Sequence, residues 1–411
     1  MTVPQREAAA GPETGRRDEA RSEAAARQRD LGWAPVVAFM LLHFVGTGAY
    51  TPYLQLYFQE RGLSPLAIGT LTGVGPALAV IMPVFWGLIG DRSRRARGLL
   101  AATSLLAAAS FMGLSIGRSF AALLALSALF SAFSLASGPL STAIVLEEGE
   151  RLGSGYGPLR MWGSVGFAVG ILSAGRLVSE LGTGAIFAAY GVPTVLSLVP
   201  LVWLREAGLR TGTLTLRAAW QVLSDRRLAA LLLVALIWRI TSAGYYTFYT
   251  IYITDMGAGA SLVSIAWALG LVGEVTVLRL SGRLVGRMGI SGLLALGLLG
   301  SALRWLAYAV APGPGWTLPF QLLHGLTFGA TTTAAVLAVD NLFPTELRST
   351  GQGVLSMAMW GVGGLLGSLA VGALFQSVGP RWMYGASAVG AALTGAAVLV
   401  ALRFAPSKSG R

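Results

Sequence analysis

The sequence predicts an all-α membrane protein of twelve transmembrane helices, arranged as two six-helix bundles around a central cavity. Three observations lead there. The 411 residues are 54% hydrophobic and only 12% charged, with a mean hydropathy of +0.67, more apolar surface than a water-soluble core of ordinary proportions takes in. The chain holds twelve apolar stretches of about 20 residues, the length that crosses a ~30 Å hydrocarbon layer at 1.5 Å per residue. The two halves also repeat each other: Gly87-Leu-Ile-Gly-Asp91-Arg92-Ser-Arg94-Arg95 precedes Gly282-Arg-Leu-Val-Gly286-Arg287-Met-Gly289 by 195 positions, each between apolar runs.

The stretches begin near Trp33, Leu66, Leu99, Ala121, Leu159 and Thr183 in the first half, and near Leu228, Ser261, Ile290, Trp316, Gly353 and Trp382 in the second. They are expected to be helices, because a spanning segment must satisfy its own backbone hydrogen bonds and these runs are too long and uniformly apolar for barrel strands. The longest polar interruption, residues 205–227, is the expected cytoplasmic linker between bundles at 31–204 and 228–404. Residues 1–30 and 405–411 are expected to be cytoplasmic tails, the first disordered or a short surface helix. An even number of spans per half makes the repeat parallel, which is a transporter signature. At the same offset Tyr50 falls on Tyr245, Tyr57 on Tyr252, Glu60 on Asp255 and Gly62 on Gly257, and Met161-Trp162-Gly163 matches Met359-Trp360-Gly361 at 198.

Basic residues set the orientation. With the N-terminus in the cytoplasm, only Arg61, Arg118, Arg176 and Arg381 fall on or near the outer side, so an integral protein of the cytoplasmic (inner) membrane with both termini in the cytoplasm is expected. The net charge of +12 is then a topology signal plus attraction to anionic lipid, and calls for no nucleic acid. Zero cysteines exclude disulfides and thiolate chemistry, and two histidines without cysteine argue against a transition-metal site. Gly113-Leu-Ser115-Ile-Gly117 spells a nucleophile elbow without its strand or a histidine partner. The Gly361–Gly367 run lacks the setting of a dinucleotide loop, and its Gly363 and Gly367, like Gly166 and Gly170, are spaced for close helix packing. No phosphate loop is visible, so neither an enzyme nor an ATP-driven pump is expected, and no cofactor beyond a coupling proton.

The Gly87 stretch resembles the loop between helices two and three of the major facilitator superfamily. Gly87, Asp91, Arg92 and Arg95 fit that pattern, Arg94 replaces a glycine, and the second copy keeps Gly282 and Arg287 but has Gly286 for the acid. The glycines would let helices approach and the charges would latch one of two conformations. A plain basic loop accounts for the arginines but not for Asp91 or the repeat. Tyr156-Gly-Pro-Leu-Arg160-Met-Trp-Gly, Gly273-Glu274-Val, Arg304-Trp305 and Leu323-His324-Gly-Leu-Thr-Phe resemble the phenylpropionate permease branch, which is similar to proton-coupled lactose and nucleoside permeases. The resemblance implies proton-driven uptake of a small organic solute (an aromatic acid, nucleoside or sugar) by alternating access, and a monomer. A proton-antiport exporter of drugs or metabolites shares the architecture, and a non-transporting sensor on this fold is a further alternative.

Ionisable residues in an apolar span are costly unless they face a cavity or a partner, which singles out His43, Arg239, Glu274, Arg304 and His324, with Glu147, Arg160 and Asp340 nearer the cytoplasm. Glu274 lies roughly 20 Å below the outer end of the eighth span. Desolvation pulls a carboxyl there toward its neutral form and a nearby arginine toward its charged form, so it can load and release a proton; the alternative is a permanent pair with Arg279 or Arg304. Arg304 and His324 come out at similar depth on successive helices and form, with Glu274, the candidate proton-coupling set. The resemblance to lactose permease assigns the matching glutamate to substrate and the matching arginine and histidine to the proton site; it also expects a glutamate one turn after His324, where this chain has Thr327, so that Glu274, Glu147 or Asp340 must carry the proton instead. Candidate solute contacts are Arg239, whose planar fork suits a carboxylate, Glu147 and Arg160 as a pair by resemblance, Trp162, and the repeat-related Tyr50 and Tyr245, facing each other across the cavity. Asp340 is expected to pair with Arg348 structurally, and Tyr57 and Tyr252 to sit in an aromatic belt at the headgroups.

Overall fold

A computed structural model describes residues 32–93, 95–207 and 224–401. The tails and most of the 205–227 linker lie outside the described residues, as do Arg94 and the side chain of Asp91. The described chain is helical, and we label its rods in order. α1 is Gly32–Glu60; α2 joins Pro65–Ala79 to Met82–Ser93; α3 is Ala96–Ile116; α4 is Phe120–Leu152; α5 is Tyr156–Leu181; α6 is Ala185–Leu201. α7 is Arg226–Asp255, α8 spans 260–288, α9 spans 290–309, α10 joins Pro314–Gln321 to Gly325–Leu342, α11 spans 345–378 and α12 spans 380–401.

Among the described residues seven stretches are long and apolar enough to cross a membrane, or nine if each of two bent pairs is one span. Two of the seven are each a pair of rods. Ala260–Ala309 would be about 75 Å long as one straight helix, more than twice a hydrocarbon core, and Gly289 (φ 72°, ψ 176°) turns it back into α8 and α9; Gly379 (φ 82°, ψ 173°) does the same for α11 and α12. Both glycines adopt a left-handed φ that a side chain would strain. Ile116, Leu181 and Val400 stand 70–82% exposed, which suits a lipid surround.

Glycines set how the rods cross. Gly166 and Gly170 of α5 seat against the Leu41 and Val45 carbonyls of α1, and Gly363 and Gly367 of α11 seat on Arg239, Ile240 and Ala243 of α7. The close packing expected of both stripes is observed, at repeat-related crossings. Gly282 and Gly286 instead face open space, so the helix approach expected at the second loop copy is not made there.

The cores show how the halves sit. One apolar cluster takes residues from both halves, among them Tyr53, Phe111, Tyr249, Trp267 and Phe375, toward the end that carries Glu60 and Asp255. At the other end the cores are separate, one built on Phe39, Leu140 and Leu159, the other on Trp238, Leu294 and Val339. Hydrogen bonds between the halves cluster at the first end: the Tyr53 hydroxyl lies 2.7 Å from the Ala260 carbonyl and 2.7 Å from Ser264 Oγ, Gln59 donates to Asp255 at 3.1 Å, and the Leu66 amide donates to Gln376 at 3.2 Å. Two halves that share a core at one end and part at the other enclose a space open at that other end.

Candidate functional site

The bends of the rods and their glycine crossings bring the polar residues together. α10 bends by 43° next to His324. Gly273 of α8 and Gly325 of α10 meet backbone to backbone, Gly325 against the Gly273 carbonyl and Gly273 against the Leu322 carbonyl. Each of these glycines neighbours a candidate residue in sequence, so the crossing sets Glu274 beside His324, with His324 Nε2 3.7 Å from Glu274 Oε2.

Arg304 is fully buried on α9. Its Nε donates to the Tyr308 hydroxyl at 2.9 Å, one Nη donates to Gln321 Oε1 at 2.5 Å, and the other lies 2.9 Å from His324 Nδ1. The Tyr245 ring stacks on its guanidinium at 4.1 Å. A guanidinium only donates, so His324 Nδ1 must accept and the ring proton of a neutral imidazole sits on Nε2, aimed at Glu274. The result is one chain of polar contacts, Arg304 to His324 to Glu274, in which the carboxylate balances a guanidinium it does not touch. The expected alternative of a direct pair between Glu274 and Arg279 or Arg304 is not what forms: Arg279 is exposed and Arg304 reaches Glu274 only through His324. Arg160, from the other half, lies close enough for its charge to act on Glu274.

The first half contributes a cavity of about 910 Å³ lined by α1, α2, α3, α4 and α6, including His43, Thr47, Tyr50, Glu147, Glu150 and Tyr190. Tyr50 closes it inside a cage of Phe111, Phe130 and Tyr190, with ring centroids 5.0–5.5 Å from its own. His43 Nε2 lies 2.6 Å from Ser137 Oγ. Glu147 lines this cavity while Arg160 stacks on Phe44 at 4.5 Å, and among the described residues the two form no ion pair with each other. Trp162 is half-buried against the first-half core that contains Met40.

Several expectations are corrected. Tyr50 and Tyr245 do not face each other, since Tyr245 is buried among Trp267, Trp305 and His324. Tyr57 and Tyr252 are not in a headgroup belt. Tyr252 is buried and donates to the Tyr308 carbonyl, and Tyr57, also buried, bonds Arg61. Asp340 accepts from Gln352 while Arg348 donates to the Phe343 carbonyl, so those two are not paired. Arg92, Arg95 and Arg287 are exposed at the open end beside an exposed Gly282 and a buried Gly87, and among the described residues none of the three joins the opposite half. Sequence reading passed over Gln321 and Tyr308, although Tyr308 stands one turn after Arg304 and Gln321 one turn before His324. It also passed over Glu148, which is fully buried, pairs with Arg151 at 2.7 Å and accepts from the Arg205 amide.

Comparison with known proteins places this arrangement. The model of the "MFS_1 like family" matches residues 35–386. The chain belongs to that family. It is therefore a membrane transporter of the major facilitator type and not an enzyme. It is 29% identical to a maltose permease of Geobacillus stearothermophilus over 85% of this chain and 88% of the relative. It is 27% identical to an Escherichia coli (strain K12) protein named "Probable 3-phenylpropionic acid transporter" over 82% and 89%. Its fold is that of the nucleoside transporter NupG, with a TM-score of 0.81, 16% identity and coverage of 91% of this chain and all of that one.

Proposed function

We propose that this transporter carries a small organic solute into the cell together with a proton, by rocking two six-helix bundles of twelve spans in all about a cavity between them. The Arg304–His324–Glu274 chain carries the reading. It lies near the middle of the membrane, in the field of Arg160 on the other half, so its balance of charge changes as the halves swing. Basic residues put the open end at the cytoplasm, which makes the arrangement described above inward-facing. Protonating Glu274 removes a buried charge whose desolvation opposes closure. His324, held by Arg304, passes that change on to a guanidinium that then lacks a counter-charge. Thr327 stands where the lactose permease pattern has an acid and spends its hydroxyl on the Leu323 carbonyl, which leaves the proton to Glu274. The protein works as a monomer in the cytoplasmic membrane, and Arg92, Arg95 and Arg287 engage when the cytoplasmic end shuts.

Reconstitution into liposomes tests this. Uptake driven by an inwardly directed proton gradient is expected for the wild type and lost in Glu274→Gln, with downhill exchange retained. Unchanged concentrative uptake in the variant would remove Glu274 from the mechanism, and export under the same gradient would reverse the direction assigned.

A further inference from the structure

The second buried arginine has no place in the chain just described. Arg239 sits at the middle of α7 with 8% of its surface exposed, and its Nε and one Nη make no hydrogen bond. No carboxylate lies within ion-pair distance of it among the described residues. Its neighbours are aromatic: the Tyr246 ring at 4.9 Å and the Trp360 ring at 5.6 Å. From there the rings close a circuit, Trp360 to Phe328 at 5.8 Å, Phe328 stacked on His324 at 5.6 Å, and His324 to Tyr246 at 6.3 Å. Tyr246, Phe328 and Trp360 are each only half-buried, so the circuit is not sealed.

Two backbone features converge on the same place. π-helical turns are rare and concentrate at functional sites, and the described residues hold two: Gly325–Ala330, which carries Phe328, and Met357–Gly363, which carries Trp360. The second ends at Gly363, where an added Cβ would come within 3.0 Å of Arg239 Cβ and 3.2 Å of its Cγ, so the helix is opened and stripped of a side chain where Arg239 lies. Charge also stands out of balance. Arg304 is offset through His324 by Glu274, whereas Arg239 has only ring faces around it, in an apolar setting where an unpaired charge is costly until an anion joins it.

We propose that Tyr246, Phe328 and Trp360 form a box for a planar or cyclic ring and that Arg239 grips a carboxylate attached to that ring, so that the solute is a ring-bearing monocarboxylate. This rests on the transport reading above and narrows its substrate class. The planar fork, with its free donors, suits the two oxygens of one carboxylate. A guanidinium held only by ring stacking would stabilise α7 against α11 and would distinguish no ligand.

Titration of the purified full-length protein tests it, read by tryptophan fluorescence and thermal shift. The probes are benzoate, 3-phenylpropionate and cyclohexanecarboxylate, each beside its neutral primary alcohol. The carboxylates are expected to bind more tightly than their alcohols by about tenfold to a hundredfold, the range for hydrogen bonds to charged groups. Arg239→Gln is expected to abolish that preference, Arg239→Lys to keep part of it, and Trp360→Phe to weaken the fluorescence response while preserving the preference. The proposal is overturned if no carboxylate outbinds its alcohol, or if Arg239→Gln keeps the preference. Proton-driven uptake of a neutral sugar or nucleoside that is lost in Glu274→Gln would leave the transport reading standing and sink this one. Carboxylate binding without any proton-driven uptake would do the reverse.

Discussion

The contact between Glu274 and His324 depends on two glycines that have no chemistry of their own. In Gly325→Ala the new methyl would overlap the Gly273 carbonyl, backbone that cannot rotate aside, and would press on Val277 Cγ2 as well. α8 and α10 must therefore part by on the order of 1 Å to restore normal contact. Over-packing at such a crossing costs about 1–3 kcal/mol, and a gap of that size forfeits roughly a quarter to a half of the dispersion energy of the atoms nearby. The Glu274–His324 separation of 3.7 Å opens in step and leaves ion-pair range. Thermal unfolding of purified protein and proton-driven uptake in liposomes measure the two consequences. Gly325→Ala is expected to melt at lower temperature and to lose gradient-driven uptake by a larger factor than downhill exchange. Gly385→Ala, whose added methyl meets open space, is the control and is expected to change neither. A Gly325→Ala protein that melts and accumulates solute like the wild type would refute the claim that this crossing sets the geometry of the polar chain.

Two further outcomes follow from the packing. Tyr53→Phe removes a hydroxyl that bonds Ala260 and Ser264 across the closed end, a loss of about 1 kcal/mol per bond; in this cysteine-free chain a Thr142→Cys reporter in the cavity wall is expected to react more slowly with a thiol reagent applied from the cytoplasmic side. Glu148→Gln strips the charge from a buried pair with Arg151 and weakens a cap on the Arg205 amide, and is expected to cost about 1–3 kcal/mol in thermal stability without altering solute preference.

Helix positions were legible because a membrane imposes one length and one composition. The apolar runs beginning near Ile290, Ser261 and Ala121 start within a residue of α9, α8 and α4. The run placed at Gly353 starts eight residues late, because the helix already begins with Thr345-Glu-Leu-Arg-Ser-Thr, a polar turn and a half that apolarity does not detect. The candidate site was legible to the same depth: rise per residue put Arg304 beside His324, and the geometry agrees. Facing direction was not. Tyr57 and Tyr252 stand in the last turn of their helices, as the sequence places them, yet are buried inward, and of the adjacent Glu147 and Glu148 it is the second that is buried, since one step turns a helix by about 100°. The unpaired state of Arg239 lay beyond sequence altogether, because it is a property of every helix around it.

Where α5 seats on α1, peptide backbone rests against peptide backbone with nothing longer than a glycine hydrogen between. Such a seam contains no rotamers to rearrange, so it behaves as a rigid beam. The side chains that greet a passenger project from other faces of the same rods. Load-carrying parts and selecting parts are thus separable, and a lineage can exchange Tyr246, Phe328 or Trp360 for a new cargo while its levers swing as before.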